Sequence, residues 1–129
     1  VIAPSLRPDF AIIHALRGDP EGNVVTTIHN EDRLIVQAAE HAIVTVEEIR
    51  DDALDGLAAD EQVIPGVYFD AVVVAPGGAR PLACPGHYSE DSKAVEAYIA
   101  AAKSADSMAR YVEALRSPRK ADADVSVHA

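Results

Sequence analysis

The sequence has a single cysteine, Cys84, so no intrachain disulfide can staple the fold. Basic residues are few: Lys plus Arg number 11 against 21 Asp plus Glu, a formal net charge of −10. They form no stripe, which argues against nucleic acid as a partner. An acidic balance does not exclude an anionic ligand, because a few local arginines and backbone amides can hold one. No apolar run approaches the roughly 18 residues that a membrane helix needs, and there is no signal-peptide pattern. The expectation is a soluble, cytoplasmic protein with no membrane partner. Histidines His14, His29, His41, His87 and His128 show no ligand spacing, and Cys84-x-x-His87 is a lone pair of soft ligands where zinc usually takes more. No metal is expected. Cys84 as a nucleophile would need a base and an oxyanion hole that the sequence does not show. Internal repeats and low-complexity segments are also lacking.

What is present is apolar and β-branched. At 129 residues and 49% hydrophobic, the chain is long enough for one domain with one core. The stretch Ile64–Pro85, IPGVYFDAVVVAPGGARPLACP, carries the unbroken run Ala71–Ala75 between Asp70 and Pro76-Gly77-Gly78. Such a run predicts a strand buried on both faces, as in a parallel sheet covered by helices, ended by a proline that cannot donate to the ladder. Phe10–Ala15 reads as a second buried strand, Gly18–Asn23 as a turn, and Val24–Ile28 as a short extended segment. Asn30 is the expected cap of a helix with an apolar stripe of Leu34, Ile35, Ala38, Ala39 and Ala42. Ile43–Ile49 reads as a strand, Arg50–Ala59 as a short helix, and Val63-Ile64-Pro65 as a lead into the next strand. After Ser89-Glu90-Asp91, read as a cap with acidic first-turn residues, two apolar stripes out of phase predict two helices broken near Ser104–Ser107. The fold class is α/β: an open, mostly parallel sheet of three to five strands with helices on both faces and a C-terminal helix pair. The domain is expected to span residues 1–116, with residues 117–129 a disordered tail.

In open α/β sheets the ligand crevice lies at the carboxyl ends of the strands. The crevice is therefore expected near residues 14–23 and 76–80. His14 and Arg17 end the first strand beside a turn, and Arg17 could hold a carboxylate or phosphate, or brace the turn through Asp19. Gly77-Gly78 allows close backbone approach, with Arg80 just beyond, although a tight turn explains the glycines equally well. Glu47 and Glu48 follow a strand, where a carboxylate could act as base or nucleophile. The preferred reading is two solvated residues leading into the acidic Asp51-Asp52.

Two stretches resemble a known family. Leu6-Arg7-Pro8-Asp9-Phe10-Ala11-Ile12-Ile13-His14-Ala15-Leu16-Arg17-Gly18-Asp19, followed by Glu21-Gly22-Asn23, resembles the PDxAxIHAxRxDxxGN signature of the α subunit of family I CoA-transferases. Ile64-Pro65-Gly66, then Phe69-Asp70-Ala71-Val72-Val73 and Pro76-Gly77-Gly78-Ala79-Arg80-Pro81, resembles that subunit's later segment. The glutaconate-type and steroid-catabolic branches are most similar. The resemblance implies the α component of an acyl-CoA:carboxylate CoA-transferase, with a coenzyme A thioester as substrate and no covalently bound cofactor. It implies a hetero-oligomer in which a β subunit carries the catalytic glutamate, so this chain has no catalytic residue and is inactive alone. The substrate- or CoA-binding candidates are His14, Arg17, Asn23, Gly77, Gly78 and Arg80. Some relatives hydrolyse a ring of a CoA thioester instead, and a non-catalytic module that binds an acyl-CoA or a partner is the reading from another class. The family's glycine-rich N-terminal half has no counterpart here, and Val1 stands first, so a truncated or processed product is expected. Ala79-Arg80 also stands where close relatives often carry Ala-His.

Overall fold

The computed structural model describes residues 4–116. These fall into two compact units, one ending at Gly78 and one beginning at Ala79. The first unit contains β1 (Phe10–Ala15), β2 (Arg17–Gly18), β3 (Val24–Thr27), α1 (Asp32–Ala38), β4 (His41–Val46), β5 (Glu61–Ile64), a single 3₁₀ turn at Gly66–Tyr68, and β6 (Ala71–Val74). The second contains α2 (Ser92–Ala101) and α3 (Ala105–Arg116).

The main sheet is parallel, in the order β1-β4-β6, with Ile12 beside Ile43 and Ile43 beside Ala71. The chain is an α/β protein, as its apolar runs predict. Side chains along a strand alternate between faces. One face of β1 and β4, with Ala11, Ile13, Ala15, Ala42, Val44 and Val46, is buried in the core. Val36 of α1, Val24 of β3 and Ile64 of β5 belong to the same core. The other face is open at the start of β1, where Phe10 is 61% and Ile12 73% exposed, and closes toward the carboxyl ends, where His14 and Thr45 are half-buried. The expectation of two-sided burial is corrected here, and in β6 as well, where all four residues are partly exposed. β6 is the edge of its sheet, and an apolar run shows what a strand tolerates, not which distant segment covers it.

A second sheet, β2-β3-β5, is antiparallel. Residues expected to lead toward β6 are its outer strand, β5, paired Val24 to Ile64. The expected helix at Arg50–Ala59 is instead a chain of turns, with Ala53 N–H donating to Arg50 and Asp55 N–H to Asp52. Aspartates compete for local backbone bonds, and Gly56 takes a positive φ of 60° that breaks any helical run. α1 starts later than expected. Its cap position is Glu31, without a side-chain cap bond, and its buried residue is Val36 rather than the predicted stripe. Ala42 lies in β4, and β4 begins two residues before the expected strand and ends at Val46.

The helix pair matches expectation. Asp91 caps α2 by accepting from Ala94 N–H, and Ser107 Oγ donates to Ala101 O at the break. Tyr98 and Tyr111 meet edge to face at 5.9 Å. No helix among the described residues is long and apolar enough to cross a membrane. The tail from Ser117 and His128 lie outside the described residues.

Candidate functional site

His14, Thr45 and Glu47 share one face because β1 and β4 run in register, His14 beside Thr45, and Glu47 continues the alternation one step past β4. His14 Nδ1 is 2.7 Å from Thr45 Oγ1, and His14 Nε2 is 2.7 Å from Glu47 Oε1. Glu47 Oε2 accepts the N–H of Gly77 at 2.7 Å, in the turn that follows β6. One carboxylate therefore joins the carboxyl ends of all three parallel strands. Gly77 has φ +77°, a backbone conformation that glycine takes without a Cβ penalty. At Gly78 a Cβ would come within 2.7 Å of the His14 ring and 2.9 Å of Ala75 O, so the turn lies directly on the imidazole.

Glu47 overturns the solvated reading, being only 8% exposed. The signal was available: period-two spacing from Thr45 sets Glu47 on the His14 face once β1 and β4 are paired. Glu48 does behave as a solvated residue, near Arg50 at 3.5 Å.

Arg17 is placed by β2, but its partner is not Asp19. Nε donates to Ala53 O at 2.7 Å, and the two terminal nitrogens form a bidentate pair with Glu61 at 2.8 and 2.7 Å. The guanidinium holds the Glu61 carboxyl down to about 2 from its ordinary 4.5, and Glu61 in turn raises Arg17. Asp19 instead closes the turn on itself, accepting from Asn23 N–H and Asn23 Nδ2 at 2.8 and 2.7 Å. Asn23 Oδ1 then accepts Gly66 N–H at 3.0 Å, where a Cβ on Gly66 would meet Glu21 O at 2.8 Å. The GDPEGN and IPG segments are thus pinned together.

The expected single crevice resolves into two places. Residues 19–22 line a cavity of about 440 Å³ with Gly66 and Phe69–Val72, and neither His14 nor residues 76–80 belongs to it. His14, Gly77 and Gly78 form the clasp described above. Arg80 lies in the second unit, its guanidinium 4.5 Å from the centre of the Tyr88 ring, while Tyr88 Oη accepts the N–H of Ala79. The amides of the glycine turn are internally engaged: Gly77 on Glu47, Gly78 on Ala75 O.

The family model described as Coenzyme A transferase matches residues 1–75. The chain belongs to the coenzyme A transferase family. It is 39% identical over 99 residues to the A-type subunit of glutaconate CoA-transferase from Acidaminococcus fermentans, covering 76% of this chain and 31% of that protein. The crystal structure of that transferase superposes with a TM-score of 0.69 at 35% identity, over 82% of this chain and 34% of the other. The A-type subunit of 3-oxoadipate CoA-transferase from Pseudomonas knackmussii is 33% identical over 111 residues, 85% of this chain and 39% of its own length. The cholesterol ring-cleaving hydrolase IpdA subunit of Mycobacterium tuberculosis is 29% identical over 132 residues, 99% of this chain and 45% of its own. The chain thus spans less than half the length of each of these relatives.

Proposed function

We propose that this chain is part of the α component of an acyl-CoA:carboxylate CoA-transferase, working in the cytoplasm with a β subunit that carries the catalytic glutamate. The observation that carries this reading is the match, over most of the chain, to the corresponding subunits of two CoA-transferases. In the reaction, the partner's glutamate attacks the thioester carbonyl and releases the CoA thiolate, leaving an acyl anhydride. The thiolate then attacks the glutamyl carbonyl, which frees the first acid and leaves a glutamyl-CoA thioester for the acceptor carboxylate. Two glutamates of this chain are engaged otherwise: Glu47 accepts from His14 and Gly77, and Glu61 is bound by Arg17. His14, Gly77 and Gly78 shape the surface that faces the acyl thioester. Arg80, in the second unit, offers a cation to an anionic group such as a phosphate or carboxylate. Asn23 holds the Gly18–Asn23 turn through Asp19 and ties it to Gly66, and Arg17 ties β2 to Ala53 and Glu61.

The test uses glutaryl-CoA as donor and acetate as acceptor, since the acids in both transferase relatives' names are dicarboxylates. Borohydride trapping of the assembled complex, followed by mass spectrometry, is expected to mark one glutamate on the partner subunit. This chain by itself is expected to transfer no CoA. A trapped residue on this chain, or transfer by it alone, refutes the assignment. A second reading, a ring-opening hydrolase of a CoA thioester, is favoured by the similarity to the cholesterol ring-cleaving hydrolase over nearly the whole chain. It predicts hydrolysis with no trapped glutamyl adduct.

A further inference from the structure

We infer that Glu47 is a positioning residue that sets the Pro76–Gly78 turn against the bound acyl thioester through two hydrogen-bond acceptances. The inference rests on the proposed function for what the turn faces. The clasp itself is geometry. A carboxylate only accepts, so the hydrogen on the 2.7 Å contact to Glu47 Oε1 belongs to His14 Nε2. The other oxygen takes the N–H of Gly77, whose direction is fixed by its positive φ. Gly78 leaves no room for a Cβ against the His14 ring, so the turn rests directly on the imidazole that Glu47 holds. On its far side the ring is held by Thr45 Oγ1, which also lies 3.3 Å from Ile13 O.

This arrangement distinguishes charge from acceptance. In Glu47→Gln, the amide oxygen can keep the Gly77 N–H, and the amide nitrogen can donate to His14 Nε2. The ring then carries its hydrogen on Nδ1 and donates to Thr45 Oγ1, whose own hydrogen turns to Ile13 O. Both contacts survive at the cost of one tautomer change. Glu47→Ala removes both acceptors and strands the Gly77 N–H, and Glu47→Asp keeps the charge but is one methylene short of reaching both donors.

The experiment measures glutaryl-CoA affinity of the assembled complex by calorimetry, alongside hydrogen exchange of the segment containing Gly77 and ¹⁵N NMR of labelled histidine. Glu47→Ala, or Glu47→Asp if the alanine variant does not assemble, is expected to weaken binding by about ten- to a hundred-fold with faster Gly77 exchange. Glu47→Gln is expected to bind within about twofold of the parent, with Gly77 protected and the His14 hydrogen moved from Nε2 to Nδ1. Parent-like affinity in the alanine or aspartate variant, with only a lower melting point, overturns the inference and leaves the functional reading intact. Equal damage in Glu47→Gln and Glu47→Ala also overturns it. Failure of the parent complex to bind glutaryl-CoA overturns the functional reading, and Gly77 exchange then decides the clasp, with equal exchange in all variants refuting it.

Discussion

Replacing Arg17 by Ala tests whether the cation of β2 serves a ligand or the fold. Each of its three nitrogens donates one hydrogen bond, to Glu61 or to Ala53 O, at 2.7 to 2.8 Å. The side chains are 11% and 15% exposed, so solvent screens the pair only in part. A carboxyl held at about 2 against an ordinary 4.5 corresponds to about 3 kcal/mol at neutral pH. Allowing for the residual exposure, about 1–3 kcal/mol is the working magnitude. For a chain of this size that lowers the thermal midpoint by about 5–10 °C. The folded pKa is depressed, so the contribution is complete above about pH 4.5 and is lost as the pH falls toward about 2. Arg17→Ala should therefore lower the midpoint at pH 7 and flatten its decline across that acid window. The Glu61→Ala and double variants should be destabilised about equally, since the interaction is removed in each. The Michaelis constant for glutaryl-CoA, corrected to folded complex, should not move. A tenfold rise in that constant with an unchanged midpoint would refute the brace and make Arg17 a ligand contact.

Gly78→Ala should weaken glutaryl-CoA binding and destabilise by about 1–3 kcal/mol, because its Cβ would meet both the His14 ring and the Ala75 carbonyl. Calorimetry and thermal unfolding check both, and a parent-like variant would show that the turn has slack. Asp91→Ala should cost about 1 kcal/mol by removing the acceptor for Ala94 N–H at the start of α2, read as a lower midpoint with unchanged activity.

The main elements were legible because each is a local pattern. Apolar runs specified β1, β4 and β6 as strands of an α/β sheet, and a phase change between stripes separated α2 from α3. The cap segment of α2 was legible at Ser89-Glu90-Asp91, but the cap is Asp91 itself and no acidic residue follows in the first turn. Family membership was legible too, since it rests on ordered motifs rather than on contacts. Burial was not. Phe10 and Ile12 are as apolar as Ala11 and Ile13, and only the packing of β3, β5 and α1 onto one face decides which pair is covered. The helix expected at Arg50–Ala59 failed because aspartates and a positive-φ glycine outweigh a short apolar spacing. Partners were the least legible. Arg17 finds Glu61 at 44 residues' distance instead of nearby Asp19, and Glu47 finds His14 and Gly77 across 33 and 30 residues. The order of residues alone determines which groups carry charge and which strands form. Which charge meets which donor is set by strand register and sheet order, and these bring together groups whose spacing along the chain holds no trace of the contact.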